Sequence, residues 1–415
     1  MNSPPAVPEA TTRTPWRLFV LLLVSVWINY IDRGNLSVAA PAIAPEFGLT
    51  ATQVGVLLSA FFWTYAGLQI LGGWLVDRFD AFRVYGAAFL IWSAATFLTG
   101  FAGSFTALLL FRLLLGVGES AAYPAYSRLL ASRFPEHRRG FANALVDFGG
   151  KAGPALGTFV GGLLVAHYGW RAMFFLIGGI SFLWLVPWLS WAPREGTLSG
   201  ASCSGPSILK ILSLQPAWAT FLGLFCFNYA YYFLMTWLPS YLVMDRHFSL
   251  TRMAVFSALP FAVSAVTSLV SGYASDRLIA RGGAASQVRK SFAVTGVLLC
   301  AGALLGVGKA PTTLAMAFLI LSFASIGLFS SNVWAITQTL AGPAAAGRWT
   351  GIQNAIGNLG GVVAPVVTGI LVSRFGSFYL AFLAASLSLL LAALMYVLVL
   401  GPVVPVVWPQ GRAET

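Results

Sequence analysis

Charged residues are scarce in this 415-residue chain, where Asp, Glu, Lys and Arg together make up only 9% of the sequence. A soluble domain carries about 25% charged residues, and it does not usually tolerate the 58% of hydrophobic residues found here. The sequence therefore excludes an ordinary soluble protein and predicts a polytopic, all-α membrane protein.

Cysteines and nucleotide-binding motifs are also lacking. The chain has three widely spaced cysteines, an odd number that fits neither a disulfide framework nor a paired zinc motif. It contains no Gly-x-x-x-x-Gly-Lys-Ser/Thr loop, so we expect neither an ATP-driven pump nor an enzyme. The net charge of +12 lies at the ends of apolar runs and not in a basic tract, so we expect no nucleic-acid partner. We expect no metal and no cofactor, with the proton as coupling ion.

Long apolar runs are what the chain has in abundance. About 20 residues cross a bilayer, and Gly, Pro and charged clusters separate twelve runs of this kind: 16–37, 52–76, 82–102, 105–130, 141–166, 171–191, 216–243, 252–275, 291–308, 312–339, 348–372 and 377–401. The longest polar connection divides them into two sets of six. We predict a cytoplasmic tail, an N-terminal six-helix bundle, a cytoplasmic linker, a C-terminal six-helix bundle and a second tail, over 1–15, 16–191, 192–215, 216–401 and 402–415.

The basic residues predict how the chain is oriented. If the N-terminus is cytoplasmic, sixteen of the 24 Lys and Arg residues fall in cytoplasmic segments and five in outer segments. Loops rich in Lys and Arg stay in the cytoplasm. We therefore expect both termini in the cytoplasm. We expect the protein in the plasma membrane, which is the inner membrane of a bacterium.

The two halves repeat each other. The second and eighth runs end in one short motif, Gly73-x-x-x-Asp77-Arg78 and Gly272-x-x-x-Asp276-Arg277. The fifth and eleventh runs begin alike at an offset of 211, with Gly140-Phe-Ala-Asn143-Ala and Gly351-Ile-Gln-Asn354-Ala. Two parallel six-helix repeats with a site between them near the midplane are a transporter architecture.

Ionisable residues inside the runs mark the candidate pathway. There are six, all in the first half and formally neutral as a set: Asp32, Arg33, Arg112, Glu119, Asp147 and Lys151. A charge at bilayer depth costs roughly 2.5 to 3.5 kcal/mol on insertion scales, so such residues usually face a cavity or a partner.

Glu119 and Asp32 are the candidate proton carriers, because a carboxylate whose arginine partner changes between conformations can bind and release a proton. Arg33 and Arg112 suit a bidentate grip on an anionic substrate, or they clamp these acids. Two plainer interpretations stay open: a structural Arg112–Glu119 ion pair, seven residues apart on one helix, and an Asp32–Arg33 pair at a helix end.

Asp147 and Lys151 are four residues apart on the fifth run and can simply neutralise each other. The functional alternative is that Lys151 binds a second anionic or hydroxyl group of the substrate while Asp147 holds its side chain.

Uncharged polar and aromatic residues complete the predicted substrate site. Hydroxyls and amides suit a polyol chain, and aromatic rings pack against sugar C–H groups. Interhelical hydrogen bonding is the plainer role for each of them. The candidates are Tyr30, Tyr65, Asn228, Tyr231 (or Tyr232), Ser331, Trp334, Asn354 and Asn358.

The twelve runs, the central loop and the duplicated Gly73…Arg78 motif resemble the major facilitator superfamily. The stretch Asn29-Tyr30-Ile31-Asp32-Arg33, with Arg112 and Glu119, resembles its anion:cation symporter branch, which includes bacterial sugar-acid transporters. That resemblance implies coupling roles for Asp32 and Glu119, gating roles for the motif residues Gly73, Asp77, Arg78, Asp276 and Arg277, and substrate contacts at Ser331, Trp334 and Asn354. It also implies a monomer.

These features favour proton-coupled symport of a small organic anion, a sugar acid such as an aldonate, uronate or aldarate, by alternating access. Two alternatives remain. The glycines between Gly140 and Gly157 resemble the fifth-helix motif of proton/drug antiporters, and the same fold can serve as a non-transporting sensor.

Overall fold

The computed structural model describes residues 16–133, 136–191 and 206–408, except for the side chains at 77, 131–133, 136–147, 191 and 343–344. The predicted tail 1–15, most of the linker 192–215 and the end of the tail 402–415 lie outside the described residues. Within the described ranges every regular element is a helix.

The first half contains six helical elements. They are α1 (Trp16–Glu46), α2 (Ala51–Arg78), α3 (Ala81–Thr99), α4 (Phe105–Glu119), α5 (Ala122–Arg133) and α6 (Glu136–Trp191). The second half begins with the short α7 (Ile208–Leu212) and continues with α8 (Gln215–Met244), α9 (Leu250–Ala280), α10 (Ala285–Val307), α11 (Thr312–Phe375), α12 (Tyr379–Leu394) and a π-helical turn, Met395–Val399.

Two glycines divide the longest helices. Gly169 has φ 82° and ψ 164°, and Gly342 has φ 61° and ψ 176°. Such positive φ values interrupt a right-handed helix and suit glycine, which has no Cβ. Residues 136–168 and 170–191 (α6a and α6b) therefore correspond to the fifth and sixth predicted runs. Residues 312–341 and 343–375 (α11a and α11b) correspond to the tenth and eleventh.

The fourth run is one continuous helix in the prediction, but the structure interrupts it directly after Glu119. Pro124 explains the break between α4 and α5, because it has no N–H to donate to the carbonyl of Ser120, four residues earlier.

Ten helical segments of the described chain are long and apolar enough to cross a membrane, with α4 and most of α5 counted together as 105–130. One of them, 148–190, is divided at Gly169 into two spans. α1 is not in this set, and the polar residues between Asn29 and Asn35 lower its hydropathy, but its 31 residues exceed the length of a bilayer crossing. The described helices thus supply the predicted twelve spans.

The halves are built in the same way. At Gly116, α4 approaches the α2 backbone at Phe61 so closely that a methyl group would overlap it. At Gly327, α11a approaches α9 at Thr267 in the same manner. Small residues allow such close helix contacts in membrane bundles.

The halves meet along α1 with α8, α2 with α11, and α6 with α9. We call the end of the bundle containing the 47–50 loop the distal end. Two hydrogen bonds join the halves toward this end. Ser37 Oγ donates to the Thr236 carbonyl at 2.6 Å, and the Thr52 and Ser373 hydroxyls are 2.9 Å apart.

Candidate functional site

A buried ion pair lies halfway along the first-half helices. Arg33, near the middle of α1, donates from Nε to Oε2 of Glu119 at the C-terminus of α4, at 2.6 Å. The Arg33 side chain is 5% exposed and the Glu119 side chain 0%. Removing one partner of such a pair strands the other charge in a low-dielectric environment. Arg33 and Glu119 therefore neutralise each other inside the first half.

The Arg33 guanidinium is enclosed by aromatic rings as well as by Glu119. Its Cζ atom lies 4.4 Å from the centroid of the Tyr65 ring, 4.8 Å from that of Tyr30 and 5.1 Å from that of Phe61. Aromatic faces attract a cation without neutralising it. Both predicted first-half aromatics, Tyr30 and Tyr65, thus contact the same arginine.

Glu119 accepts its hydrogen bond from Arg33 and not from Arg112. The Arg112–Glu119 ion pair that the seven-residue spacing left open is therefore not the contact at this site. Arg112 donates from Nη2 to the Arg33 carbonyl at 3.3 Å, and its Cζ atom lies 5.5 Å from the centroid of the Phe61 ring. It remains an electrostatic neighbour of Glu119 and Asp32. Arg112 therefore binds the α1 backbone at the Arg33 carbonyl and adds positive charge near both Glu119 and Asp32.

Asp32 is separate from the arginine that follows it. The residue is 1% exposed, and its Oδ1 atom accepts from Asn35 Nδ2 at 3.1 Å. Because Asp32 and Arg33 lie in the middle of α1 and use different partners, the interpretation as a helix-end pair is wrong.

Sequence reasoning missed a buried polar seam around Asp32. Several side chains of α1 and α3 have buried polar atoms without a hydrogen bond from the described residues: Asn29, Asp32, Asn35, Trp92, Ser93 and Thr96. The contact between α1 and α3 is therefore more polar than the apolar character of these two helices predicts. The sequence does contain a signal for this cluster, because polar residues recur every three positions at 29, 32 and 35 on α1 and at 93 and 96 on α3.

The second half faces Arg33 with a tyrosine and amides. Tyr232 is an electrostatic neighbour of Arg33, and its hydroxyl donates to Asn358 Oδ1 at 2.7 Å. Asn354 Nδ2 donates to Gln69 Oε1 at 3.4 Å, and Gln69 Nε2 donates to the Tyr65 hydroxyl at 3.2 Å. Asn354 and Asn358 are therefore connected to the arginine site, whereas Gln69 was not predicted.

Tyr231 and Asn228 lie near the middle of α8 but make other contacts than Tyr232. The ring of Tyr231 is stacked on that of Phe227, with centroids 6.3 Å apart. The side-chain nitrogen of Asn228 packs against Gly357 of α11b. Of the two tyrosines left open by helical spacing, Tyr232 is the one beside Arg33.

Ser331 and Lys151 belong to a second polar group between the halves. Ser331 Oγ donates to Ser271 Oγ at 3.1 Å, and Lys151 Nζ donates to Ser268 Oγ at 2.7 Å. Trp334 on the same helix as Ser331 is half-buried against the hydrophobic core. The predicted side-chain role of Asp147 lies outside the described residues.

The gating motif of the first half is only partly described. Gly73 has open space around it, and the exposed Arg78 lies with Cζ 5.6 Å from the centroid of the Trp74 ring. The side chain of Asp77 lies outside the described residues. A gating role for this motif stays a prediction.

The second copy of the motif contacts its own half. Arg277 Nη1 donates to the Tyr273 hydroxyl at 2.8 Å, and Asp276 Oδ1 lies 4.0 Å from Arg289 Nη2. These contacts are exposed at the α9 terminus, where ion pairs contribute little. Their gating role is likewise still a prediction.

The fifth-helix glycines have a packing role. At Gly153 a methyl group would overlap Tyr30 of α1, and at Gly157 it would meet Ile31. These glycines let α1 approach α6a closely, which holds Tyr30 beside Arg33. Close packing of α1 against α6a thus explains these glycines, and they do not indicate the direction of transport.

Two six-helix bundles that are joined along their helices, with charged residues buried inside one of them, are an architecture typical of membrane transporters. A family model described as the Major Facilitator Superfamily matches residues 22–365, and this chain belongs to that superfamily. It is a multi-pass membrane transporter and not an enzyme, which confirms the fold and the class expected from its motifs.

Three curated transporters are similar to this chain over nearly the whole length of both proteins. It is 33% identical to a probable sulfoacetate transporter of Cupriavidus necator, over 97% of each chain. It is 30% identical to a probable galactarate/D-glucarate transporter of Escherichia coli, which covers 94% of this chain and 95% of the relative. It is also 30% identical to the D-galactonate transporter of Escherichia coli, over 94% of this chain and 96% of that one. The expected similarity to sugar-acid transporters is confirmed.

Solved structures support the fold. A bacterial homologue of the human lysosomal transporter Spinster, in an inward-facing and occupied conformation, matches with a TM-score of 0.81 and 19% identity. The match covers 92% of this chain and 96% of that one.

Proposed function

We propose that this transporter carries a small organic anion, a hydroxylated sugar acid or a similar acid, together with a proton by alternating access. The observation that carries the proposal is the Arg33–Glu119 pair, because it joins the site's best anion-binding group to a carboxylate that can be neutralised by a proton. We further propose that it works as a monomer in the bacterial inner membrane, with both termini in the cytoplasm.

The coupling follows from the chemistry of the two groups. While Glu119 is ionised, it holds Arg33 through the 2.6 Å hydrogen bond. A proton on Glu119 removes that charge, and Arg33, which stays protonated, turns to a substrate carboxylate. Empty and fully loaded sites are then both charge-compensated, whereas a site with only one of the two ligands leaves a buried charge unpaired.

The remaining predicted residues take supporting roles in this cycle. Asp32 is the second candidate proton carrier, in the polar seam of α1 and α3. Arg112 keeps the potential positive around both acids and fixes the Arg33 backbone. Tyr30, Tyr65, Tyr232, Asn354 and Asn358 surround the substrate's carbon chain and hydroxyls.

The relatives support the choice of substrate class. Sulfoacetate, galactarate, glucarate and galactonate, the compounds named for them, are all small organic anions. An arginine surrounded by aromatic and amide side chains suits such compounds better than a lipophilic cation.

The experiment is uptake and counterflow by purified protein in proteoliposomes. Aldonates, uronates, aldarates and sulfoacetate are offered with and without an inwardly acidic or outwardly acidic pH gradient. We expect counterflow of at least one of these anions and its accumulation when the outside is acidic. Accumulation only when the inside is acidic would show antiport, and binding without counterflow would show a sensor.

A further inference from the structure

A second cationic site lies where the two halves meet. Lys151 on α6a reaches across to α9 of the second half, where its Nζ atom donates to Ser268 Oγ at 2.7 Å. The Ser268 hydroxyl lies in turn 3.4 Å from that of Ser330 on α11a. Ser330 stands at the position that corresponds to Glu119 in the repeat. The second half therefore offers hydroxyls, not a carboxylate, to a cation of the first half.

More hydroxyl and amide groups lie beside this contact. Ser331 Oγ donates to Ser271 Oγ at 3.1 Å, and Asn332 Nδ2 is 3.3 Å from the same Ser271 oxygen. Ser268 and Ser271 lie one turn apart on α9. We call Lys151 with Ser268 and Ser330 the lysine–serine locus. Lys151 has a further partner in the protein besides Ser268. Because an ammonium group has three donors, a ligand oxygen can still accept one hydrogen bond from it.

The locus and the Arg33 site are neighbours through a single ring. Tyr30 packs on Gly150, the residue before Lys151, where a side chain would come within 3.1 Å of its ring. The same ring lies 4.8 Å from Arg33 Cζ. Tyr30 therefore packs against both Arg33 and the turn of α6a that carries Lys151.

We propose that the lysine–serine locus binds a second acidic group of the substrate, so that the preferred substrates are small dianions with an acidic group at each end. The proposal rests on the proposed function, which supplies the first acidic group at Arg33. A sulfonate or carboxylate at the locus accepts hydrogen bonds from the Lys151 ammonium and from serine hydroxyls. It also contacts both halves at once, so the second acidic group is sensed across the interface that alternating access must rearrange.

The matched substrate pair for the test is galactarate and galactonate, which share a six-carbon polyol chain and differ by one terminal carboxylate. Sulfoacetate and acetate form a second pair. Counterflow and competition are measured in proteoliposomes with the wild type, Lys151→Gln and Ser268→Ala. Lys309→Gln is the control, because Lys309 is a distal-end lysine 5.2 Å from the Tyr379 ring.

We expect the wild type to prefer the dianion of a pair. Lys151→Gln should weaken dianion binding by roughly tenfold to a hundredfold, as expected for a lost charge-assisted hydrogen bond, and leave the monoanion within about threefold of wild type. Ser268→Ala should lower the preference by a smaller factor, and Lys309→Gln should not change it.

Equal loss of both members of a pair in Lys151→Gln, or an unchanged preference, would overturn the second site. If Lys151→Gln is inactive toward every anion, Ser268→Ala decides: a selective loss of the dianion supports the locus, and a uniform effect contradicts it. A wild type that exchanges monoanions and dianions equally well, with no preference for the dianion, refutes this inference alone. A wild type that exchanges none of these four anions and none of the aldonates, uronates and aldarates of the wider panel refutes the proposed function itself.

Discussion

The two halves share a scaffold but differ in chemistry. Gly116 and Gly327, 211 residues apart, each let a helix approach its neighbour at the same point of the repeat. Three residues further on, the first half has Glu119 and the second half has Ser330. Both repeats thus share this close helix contact, but only the first repeat has a buried carboxylate next to it. Under the proposed function, the first half handles the proton and the substrate's acidic group, and the second half contacts its hydroxyl groups.

The largest effect is expected from Arg33→Gln in the charged half. This change removes the anion-binding group and leaves Glu119 buried without its partner, which costs about 3–5 kcal/mol when one member of a buried pair is lost. We expect anion counterflow to fall by roughly a hundredfold or more.

The matched control is Arg83→Gln, since the Arg83 side chain is 90% exposed and lies 3.8 Å from Asp80 on the surface. Its counterflow should equal that of wild type at the same reconstituted amount. Arg33→Gln activity within threefold of wild type would remove Arg33 from the mechanism.

The next largest effect is expected from Glu119→Gln, which should keep anion exchange but abolish accumulation driven by a pH gradient. The amide mimics the protonated acid and cannot release a proton, so Arg33 stays available to the anion. Counterflow should persist, whereas accumulation driven by an acidic exterior should fall to the level of equilibration. Asp245→Asn, at the exposed end of α8, serves as a carboxylate control. Unchanged gradient-driven accumulation in Glu119→Gln would refute Glu119 as the proton carrier.

The sequence predicts features that lie within one helix, but it does not predict which residues of different helices contact each other. The spans, the repeat and the buried charges are local patterns, so hydropathy and spacing were sufficient to find them. That Glu119 bonds Arg33, and that Arg112 bonds the Arg33 carbonyl, depends on how α1 packs against α4. No periodicity within one helix encodes that packing.

The polar residues around these charges were harder to find. Gln69 and Ser268 look like ordinary span residues until α2 and α9 are placed against α11b and α6a. Tyr231 and Tyr232 are adjacent on α8, and only the helix rotation in the bundle shows that Tyr232 is the one beside Arg33.

The shared scaffold can be tested by a pair of equivalent substitutions. Gly116→Ala and Gly327→Ala each place a methyl group against a neighbouring backbone, and overpacking of this kind costs about 1–3 kcal/mol. We expect both variants to lower the thermal unfolding midpoint in detergent by similar amounts.

Gly67→Ala and Gly302→Ala are the controls, one in each half, because no atom lies within 4 Å of the added methyl group. Loss of stability at Gly116 but not at Gly327 would show that the two repeats do not share this contact.

The smallest effect is expected in the uncharged half. Tyr232→Phe deletes the hydroxyl that donates to Asn358 at 2.7 Å but keeps the ring against Phe62. Loss of one neutral hydrogen bond costs about 1 kcal/mol, so anion affinity should fall by roughly fivefold with proton coupling unchanged.

The matched control is Tyr396→Phe, a buried tyrosine whose hydroxyl has no partner among the described residues. A loss of coupling in Tyr232→Phe, with affinity retained, would contradict the division of labour between the halves.

The central claim is that the substrate anion replaces Glu119 as the partner of Arg33 once a proton has neutralised Glu119, and proton uptake on anion binding tests it directly. Purified protein in weakly buffered detergent solution is mixed with a transported anion, and a pH indicator reports the protons taken up per anion bound. The account predicts net uptake by the wild type and none by Glu119→Gln, although that variant still binds the anion. Equal proton uptake by both proteins, or anion binding by the wild type without proton uptake, would contradict it.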